Sequence, residues 1–249
     1  ISIRRLENEA IKLYMGDTVA LDLGQDLVKV KLNQFYGIEI NDFAVSVAKT
    51  ALWIAESQML EETKDIVFAN IDFLPLKSYT NIVEGNALRL NWEEIIPKDK
   101  LSYIIGNPPF VGANGVSKTQ KQELLDLFGE KSNAGILDYV GGWYAKSALL
   151  INNTNIRCAF VSTNSISQGE QVSVLWDFLL SQNISIDFAY KSFVWNSEAK
   201  EKAKVHCIII GFSSVKQNEL ILFDKDNKEI VKEISPYLTE GKMSYVRRR

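Results

Sequence analysis

The sequence predicts an α/β fold, a mainly parallel sheet with helices on both faces and an antiparallel hairpin at the sheet edge. Three observations point there. Short β-branched and aromatic runs alternate with segments of helical periodicity through most of the chain, the pattern of strands joined by helical crossovers. The longest apolar runs are short and strand-like, such as Cys207-Ile208-Ile209-Ile210. The last three runs follow one another with no helical segment between them, which calls for antiparallel pairing.

Taken in order, "ISIRRLENEAIKLYMGD" carries apolar residues at 3, 6, 10, 11, 13 and 14, a helical spacing that Gly16 stops. "QFYGIEI" is a strand with Glu39 at its end, and "NDFAVSVAKTALWIAESQML" is a helix with an Asn/Asp start signal. "TNIVEGNALRL" gives a short strand and a turn. "LSYIIG" is a buried strand running into "NPPF". "KTQKQELLDLFG" is an amphipathic helix closed by Gly129, and "DYVGGWYAKSALLINN" is a further helix. "IRCAFVST" (strand) and "EQVSVLWDFLLSQ" (helix) precede the three final strands, "SIDFAYKSF", "KVHCIIIGFS" and "NELILFD".

With 249 residues, the chain fits one large α/β domain or two small ones. Its 46% hydrophobic and 24% charged residues are ordinary globular values. No apolar run approaches the ~20 residues of a membrane helix, and no signal peptide is visible, so no membrane partner is expected. A net charge of −3 excludes a globally basic nucleic-acid binder, so any such contact must be local. Cys158 and Cys207 could pair or share a metal, but each sits in an apolar run, which favours two reduced core thiols and a cytoplasmic setting. One histidine, His206, with no cluster around it argues against a metal site or a Ser-His triad. The chain begins at Ile1 and ends at Arg247-Arg248-Arg249; both ends read as cuts through a longer protein.

Ligands of open α/β sheets bind at the carboxyl ends of the strands. Glu39, Asn86, Asn107 and Thr163 all stand at such ends. In "GNPPF", Pro108 and Pro109 lack N–H groups, so the loop presents carbonyl acceptors with few competing donors. The Asn107 amide adds another acceptor. Two acceptors converging on an aryl NH2 favour a tetrahedral nitrogen with a localised lone pair, and they stabilise positive charge as that nitrogen attacks. The effect is oxyanion stabilisation with its sign reversed, ~3 kcal/mol per contact. Phe110 supplies a flat surface for stacking a base, at ~1–3 kcal/mol. The competing reading makes NPPF a strand-ending turn, since Asn-Pro and Pro-Pro are common loop signals. A carboxylate at Glu39 can accept from both hydroxyls of a nucleoside ribose, or be a solvated loop acid. Asn86 can bond an adenine amine or simply form a turn.

"GIEI", "GNAL", "GNPPF" and "IDFAYKSFVW…KVHCIIIGF", in that order, resemble the motifs of S-adenosylmethionine-dependent DNA adenine-N6 methyltransferases. The likeness is strongest to the MmeI-like branch of fused type IIG/IIL restriction–modification enzymes, and it covers nearly the whole chain. It implies a class I (Rossmann-like) methyltransferase sheet, S-adenosyl-L-methionine as cofactor and double-stranded DNA with a flipped adenine as partner. It also implies roles. Glu39 would hold the cofactor ribose, with Ile40 packed on its adenine; Asn86, followed by Ala87, would bind the adenine amine at a position where the family usually has Asp. Asn107 and the Pro108 carbonyl would hold the target amine within the catalytic run Asn107-Pro108-Pro109-Phe110. Phe110 and Phe193 would stack on the target base, with Trp195 a substitute for Phe193.

The glycine-rich cofactor loop of that family should precede residue 1. "VALDLGQDL" (19–27) mimics it but lacks the second glycine and a following helix. The expectation is thus a partial catalytic domain over 1–249. It comprises a helix and connecting segment (1–33), a catalytic core (34–215), and an edge strand and linker (216–249) towards a target-recognition domain, with a nuclease possible in the parent chain. Isolated, it should bind the cofactor weakly or not at all. Similar NPPF motifs occur in RNA guanine and protein-glutamine methyltransferases, and a non-catalytic DNA-binding module is a further alternative. The long segment between NPPF and "LDYVGGW", with a second aromatic at Phe193, favours DNA adenine.

Overall fold

The computed structural model describes residues 1–15, 28–67, 81–195 and 205–246. "VALDLGQDL", the three terminal arginines and the side chain of Trp195 lie outside the described residues. The chain divides into two compact units, Ile1–Ile96 and Pro97–Arg249.

In the first unit, α1 (Ser2–Met15) packs on α2 (Asp42–Val67). Ile11, Val45 and Met59 are buried there. Arg4 donates to Thr63 Oγ1 at 3.0 Å, and Thr63 donates to Asn8 Oδ1 at 2.8 Å, so the packed seam carries a polar network as well as apolar contacts. Asn41 caps α2 as its sequence signal requires, its Oδ1 accepting from the Ala44 N–H at 2.8 Å. Strands β1 (Gly37–Glu39) and β2 (Ile82–Glu84) pair in parallel, Glu39 opposite Glu84. A four-residue helix, α3 (Trp92–Ile95), closes the unit, capped by Asn91.

The second unit holds a six-stranded sheet in the order β3-β4-β6-β5-β7-β8. Its strands are β3 (Tyr103–Gly106), β4 (Arg157–Thr163), β5 (Ser185–Trp195), β6 (Val205–Ser213), β7 (Leu220–Asp224) and β8 (Asn227–Val231). The pairings set β3, β4, β5 and β7 running one way, with β6 and β8 opposed. The crossover from β3 to β4 runs through α4 (Lys118–Phe128) and α5 (Gly141–Ile151); that from β4 to β5 runs through α6 (Gly169–Ser181). Helix α4 starts on a capping box between Ser117 and Gln120 and ends at Gly129, whose φ of 94° suits glycine.

The α/β class and the late antiparallel strands hold, with two differences in placement. An edge hairpin exists, but it is β7–β8; β6 lies inside the sheet, between β4 and β5. The crossover through α6 skips one strand position, and β6 fills the gap. Its run Cys207, Ile208, Ile210 and Phe212 is accordingly almost fully buried. Strand β3 is not the buried strand expected. Among the described residues it ends this sheet, paired with β4, and Tyr103 and Ile105 are 69% and 81% exposed.

Helix α5 packs its Tyr144 against Phe160 of β4 and Phe212 of β6, with ring centroids 5.3 and 5.2 Å away. The Tyr144 hydroxyl, fully buried, shares a hydrogen bond of 2.8 Å with Ser162 Oγ. Cys158 and Cys207 are both buried in this core, and burial pushes both thiols up.

Asp187 sits beside a register shift in β5 and accepts from Ser213 Oγ at 2.9 Å. Burial pushes its carboxyl up to about 6, against the Ser213 hydrogen bond and the charge of Arg157. A folded-state pKa above the unfolded one favours the neutral acid, so its contribution is present below about pH 4 and is lost as pH rises through 6. Asp187→Asn, which keeps an acceptor for Ser213, should therefore stabilise the protein by about 1 kcal/mol near pH 8 and change little near pH 4. Urea denaturation at the two pH values measures the difference; equal effects at both would show that the folded carboxyl titrates where the unfolded one does.

Candidate functional sites at the strand ends

Each unit brings part of the sequence-predicted set to the carboxyl ends of parallel strands. In the first, Glu39 ends β1 and is exposed, and Ile40 beside it is 64% exposed. The Gly85 N–H donates to the Glu39 carbonyl at 2.7 Å, which draws the turn carrying Asn86 and Ala87 to the end of β1. Asn86 takes up the turn-forming role: its Oδ1 accepts from the Leu88 N–H at 2.9 Å, and its carbonyl from the Arg89 N–H at 2.9 Å. Gly85 has φ 153°, and a Cβ there would meet the Leu90 side chain at 2.7 Å, so the turn that presents Asn86 needs a glycine. The donor set suits a nucleoside: a solvent-facing carboxylate for ribose hydroxyls, an amide for a base edge and an exposed aliphatic side chain for a ring face.

In the second unit, Gly106 ends β3 beside Phe160 of β4, and Asn107 follows it exposed at the rim. Pro108 is buried and Pro109 exposed, while Phe110 is half-buried. The Pro108 ring fixes its own φ and restricts the backbone of Asn107 before it. The Pro109 carbonyl accepts from the Val111 N–H at 3.0 Å, folding the chain tightly after Asn107.

Strands β4 and β5 bring their carboxyl ends to the same rim as β3. Thr163 and Phe193 are both register partners of Cys207, one from each side of β6. A register shift between Tyr190 and Phe193 re-aims the end of β5. Phe193 is half-buried, edge-on to Tyr190 at 5.8 Å, rather than part of the core formed by Tyr144, Phe160 and Phe212. The rim thus carries an exposed amide and two half-exposed aromatic rings, the groups needed to hold a planar base bearing an amino group.

One residue at this rim escapes a local reading of the sequence. Asp138, just before α5, is buried and joins the loop after Phe110 to the end of β4. Its partners lie 25 to 33 residues away in the chain, so no short motif marks it.

Residues 1–224 match the family model of the MmeI DNA-methyltransferase domain, and the chain belongs to that family. It is 46% identical over 217 residues to DNA methyltransferase A of Bacillus subtilis (strain 168), covering 85% of this chain and 25% of the relative. The fold superposes on MmeI, a type IIL restriction–modification enzyme solved in complex with DNA, with a TM-score of 0.91 and 40% identity. That match covers 99% of this chain and 34% of the MmeI chain. A nuclease-deletion mutant of the type ISP restriction–modification enzyme LlaGI shares the fold at a TM-score of 0.51 and 12% identity over 95% of this chain and 23% of its own. The class I methyltransferase fold expected from the motifs is the one found. The chain spans about a quarter to a third of the length of the relatives it matches at high identity.

Among the described residues, no helix is long and apolar enough to cross a membrane.

Proposed function

We propose that the protein is the methyltransferase component of a restriction–modification system and methylates the N6 amine of adenine in double-stranded DNA, with S-adenosyl-L-methionine as methyl donor. The observation that carries this reading is the second unit's rim. NPPF leaves β3 there, and Thr163 and Phe193 flank Cys207 at the same level. Family membership supports the methyl-transfer chemistry, and the DNA in the MmeI complex supports the substrate class.

In this reading the Glu39 carboxylate accepts from the cofactor ribose hydroxyls, Ile40 covers one face of its adenine, and Asn86 with Ala87 borders the base edge. S-adenosylmethionine supplies an electrophilic methyl group when bound. Asn107 Oδ1 and the Pro108 carbonyl accept the two hydrogens of the target amine, which leaves the nitrogen lone pair localised and steadies the positive charge it acquires. Pro109 keeps the loop free of competing donors. An adenine must leave the duplex stack to reach this rim, at a cost of a few kcal/mol. Phe110 and Phe193 return part of that cost by stacking, ~1–3 kcal/mol per base.

The test uses the intact protein with labelled S-adenosylmethionine. Label should appear in duplex DNA as N6-methyladenine, and neither RNA nor protein glutamine should accept it. Phe193→Ala should weaken capture of the flipped base by ~10-fold or more while cofactor affinity holds. A 2-aminopurine probe at the target position would report this as reduced fluorescence enhancement on binding. Undiminished enhancement in Phe193→Ala would remove Phe193 from the base site.

A further inference from the structure

Asp138 is 4% exposed and gathers four donors. Its Oδ1 accepts from the Ala113 N–H at 2.8 Å and from Gln171 Nε2 at 3.0 Å. Its Oδ2 accepts from Thr163 Oγ1 at 2.7 Å and from Ser165 Oγ. Its own N–H donates to Gln171 Oε1 at 2.8 Å, and the next residue, Tyr139, donates its N–H to the Val111 carbonyl at 2.9 Å. One carboxylate thus ties together the segment following NPPF, the carboxyl end of β4, the 3-10 turn Asn164–Ser167 and the first turn of α6. Burial pushes the carboxyl up, and the bonds from Ser165, Thr163, Gln171 and Ala113 outweigh it, leaving it below its ordinary value.

A buried charge is a poor device for stability alone, because apolar residues of similar volume often serve as well. It is a good device for fixing several segments in one arrangement. Val111 and Ala113 are both held, so only the four residues Asn107 to Phe110 span from β3 to the anchored segment. Misplacing a catalytic acceptor by about 1 Å can cost ~10²-fold in rate.

We propose that Asp138 is a positioning residue for methyl transfer: it fastens the NPPF loop to the end of β4, so that Asn107 and the Pro108 carbonyl keep the orientation the target amine requires. This inference rests on the adenine-methylation reading above.

The test is made in the intact protein with Asp138→Ala, Asp138→Asn and Asn107→Ala. Hydrogen exchange of the peptide spanning residues 107–114, followed by mass spectrometry, reports the anchor independently of activity. Asp138→Ala should raise that exchange and slow single-turnover methyl transfer by ~10²-fold, with cofactor and DNA affinities within ~3-fold. Asp138→Asn keeps one carbonyl acceptor for the Ala113 N–H and should recover ~10-fold of the lost rate. A parental rate in Asp138→Ala, a slow rate with unchanged loop exchange, or no recovery in Asp138→Asn would each overturn the assignment. Should Asp138→Ala fail to fold, Thr163→Val removes one donor at constant volume and should slow transfer by ~5-fold; a parental rate there is likewise fatal. If Asn107→Ala transfers methyl groups at the parental rate, the adenine reading itself falls, and the loop exchange alone decides whether Asp138 is an anchor.

Discussion

Asn107→Ala in the intact protein is expected to slow methyl transfer to adenine by ~10²–10³-fold while leaving cofactor affinity unchanged. The amide stands exposed immediately after β3, between Gly106 and the buried Pro108. Alanine removes one of two acceptors for the target amine. The remaining carbonyl belongs to the Pro108 backbone and does not depend on the Asn107 side chain. The ribose contact assigned to Glu39 involves neither residue. The loss should thus appear in the single-turnover rate, and calorimetric titration with S-adenosylmethionine should match the parent. Asn107→Asp sharpens the result. An ionised carboxylate still accepts hydrogen bonds, so a recovery above the alanine level would show that acceptance, more than the amide as such, carries the effect. Methylation near the parental rate in Asn107→Ala would make NPPF a strand-ending turn and end the catalytic reading.

Much of the arrangement behind that prediction is legible in local sequence. Asn41 announces its helix by capping chemistry, Gly129 announces an end, and both capping bonds are present. The strand-end positions of Glu39, Asn86, Asn107 and Thr163 follow from where apolar runs stop. What local pattern could not supply is lateral order in the sheet. "KVHCIIIGFS" belongs to the late run of strands that suggests pairing at the sheet edge, yet β6 is inserted between β4 and β5. Its near-continuous apolar run was the available cue, because an edge strand tolerates polar residues on its open face. The reverse holds for β3. "LSYIIG" is apolar enough for a central strand, but pairing, not composition, fixes exposure, and Tyr103 and Ile105 stand open. Asn86 shows a third limit, since the same side chain can serve a turn and a ligand, and the bond to Leu88 reveals only the first. Asp138 shows a fourth: a hub whose partners are spread over residues 113, 163, 165 and 171 has no motif to find.

Phe212→Ala is expected to cost the second unit ~3–5 kcal/mol, the upper range for a core truncation. Phe212 is fully buried in β6, stacked on Tyr144 at 5.2 Å with 23° between ring planes, and tilted against Phe160 at 5.8 Å. The cost depends on whether neighbours can fill the space left by the ring. Tyr144 is restrained by its hydrogen bond to Ser162, since moving inward would leave a buried hydroxyl unpaired. Phe160 is restrained too, because it lies against Gly106, where even an added Cβ would sit 3.3 Å from its ring. With both neighbours held, the cavity should persist, and Phe212→Leu, which leaves a smaller one, should cost only ~1–2 kcal/mol. Hydrogen exchange of the β4 and β6 amides isolates this unit from the first and should accelerate by at least ~10²-fold in the alanine variant. A loss below ~1 kcal/mol would mean that Tyr144 or Phe160 collapses into the space. In that case the aromatic cluster could not be what holds α5, and with it the Asp138 segment, against the strands that end at NPPF and Thr163.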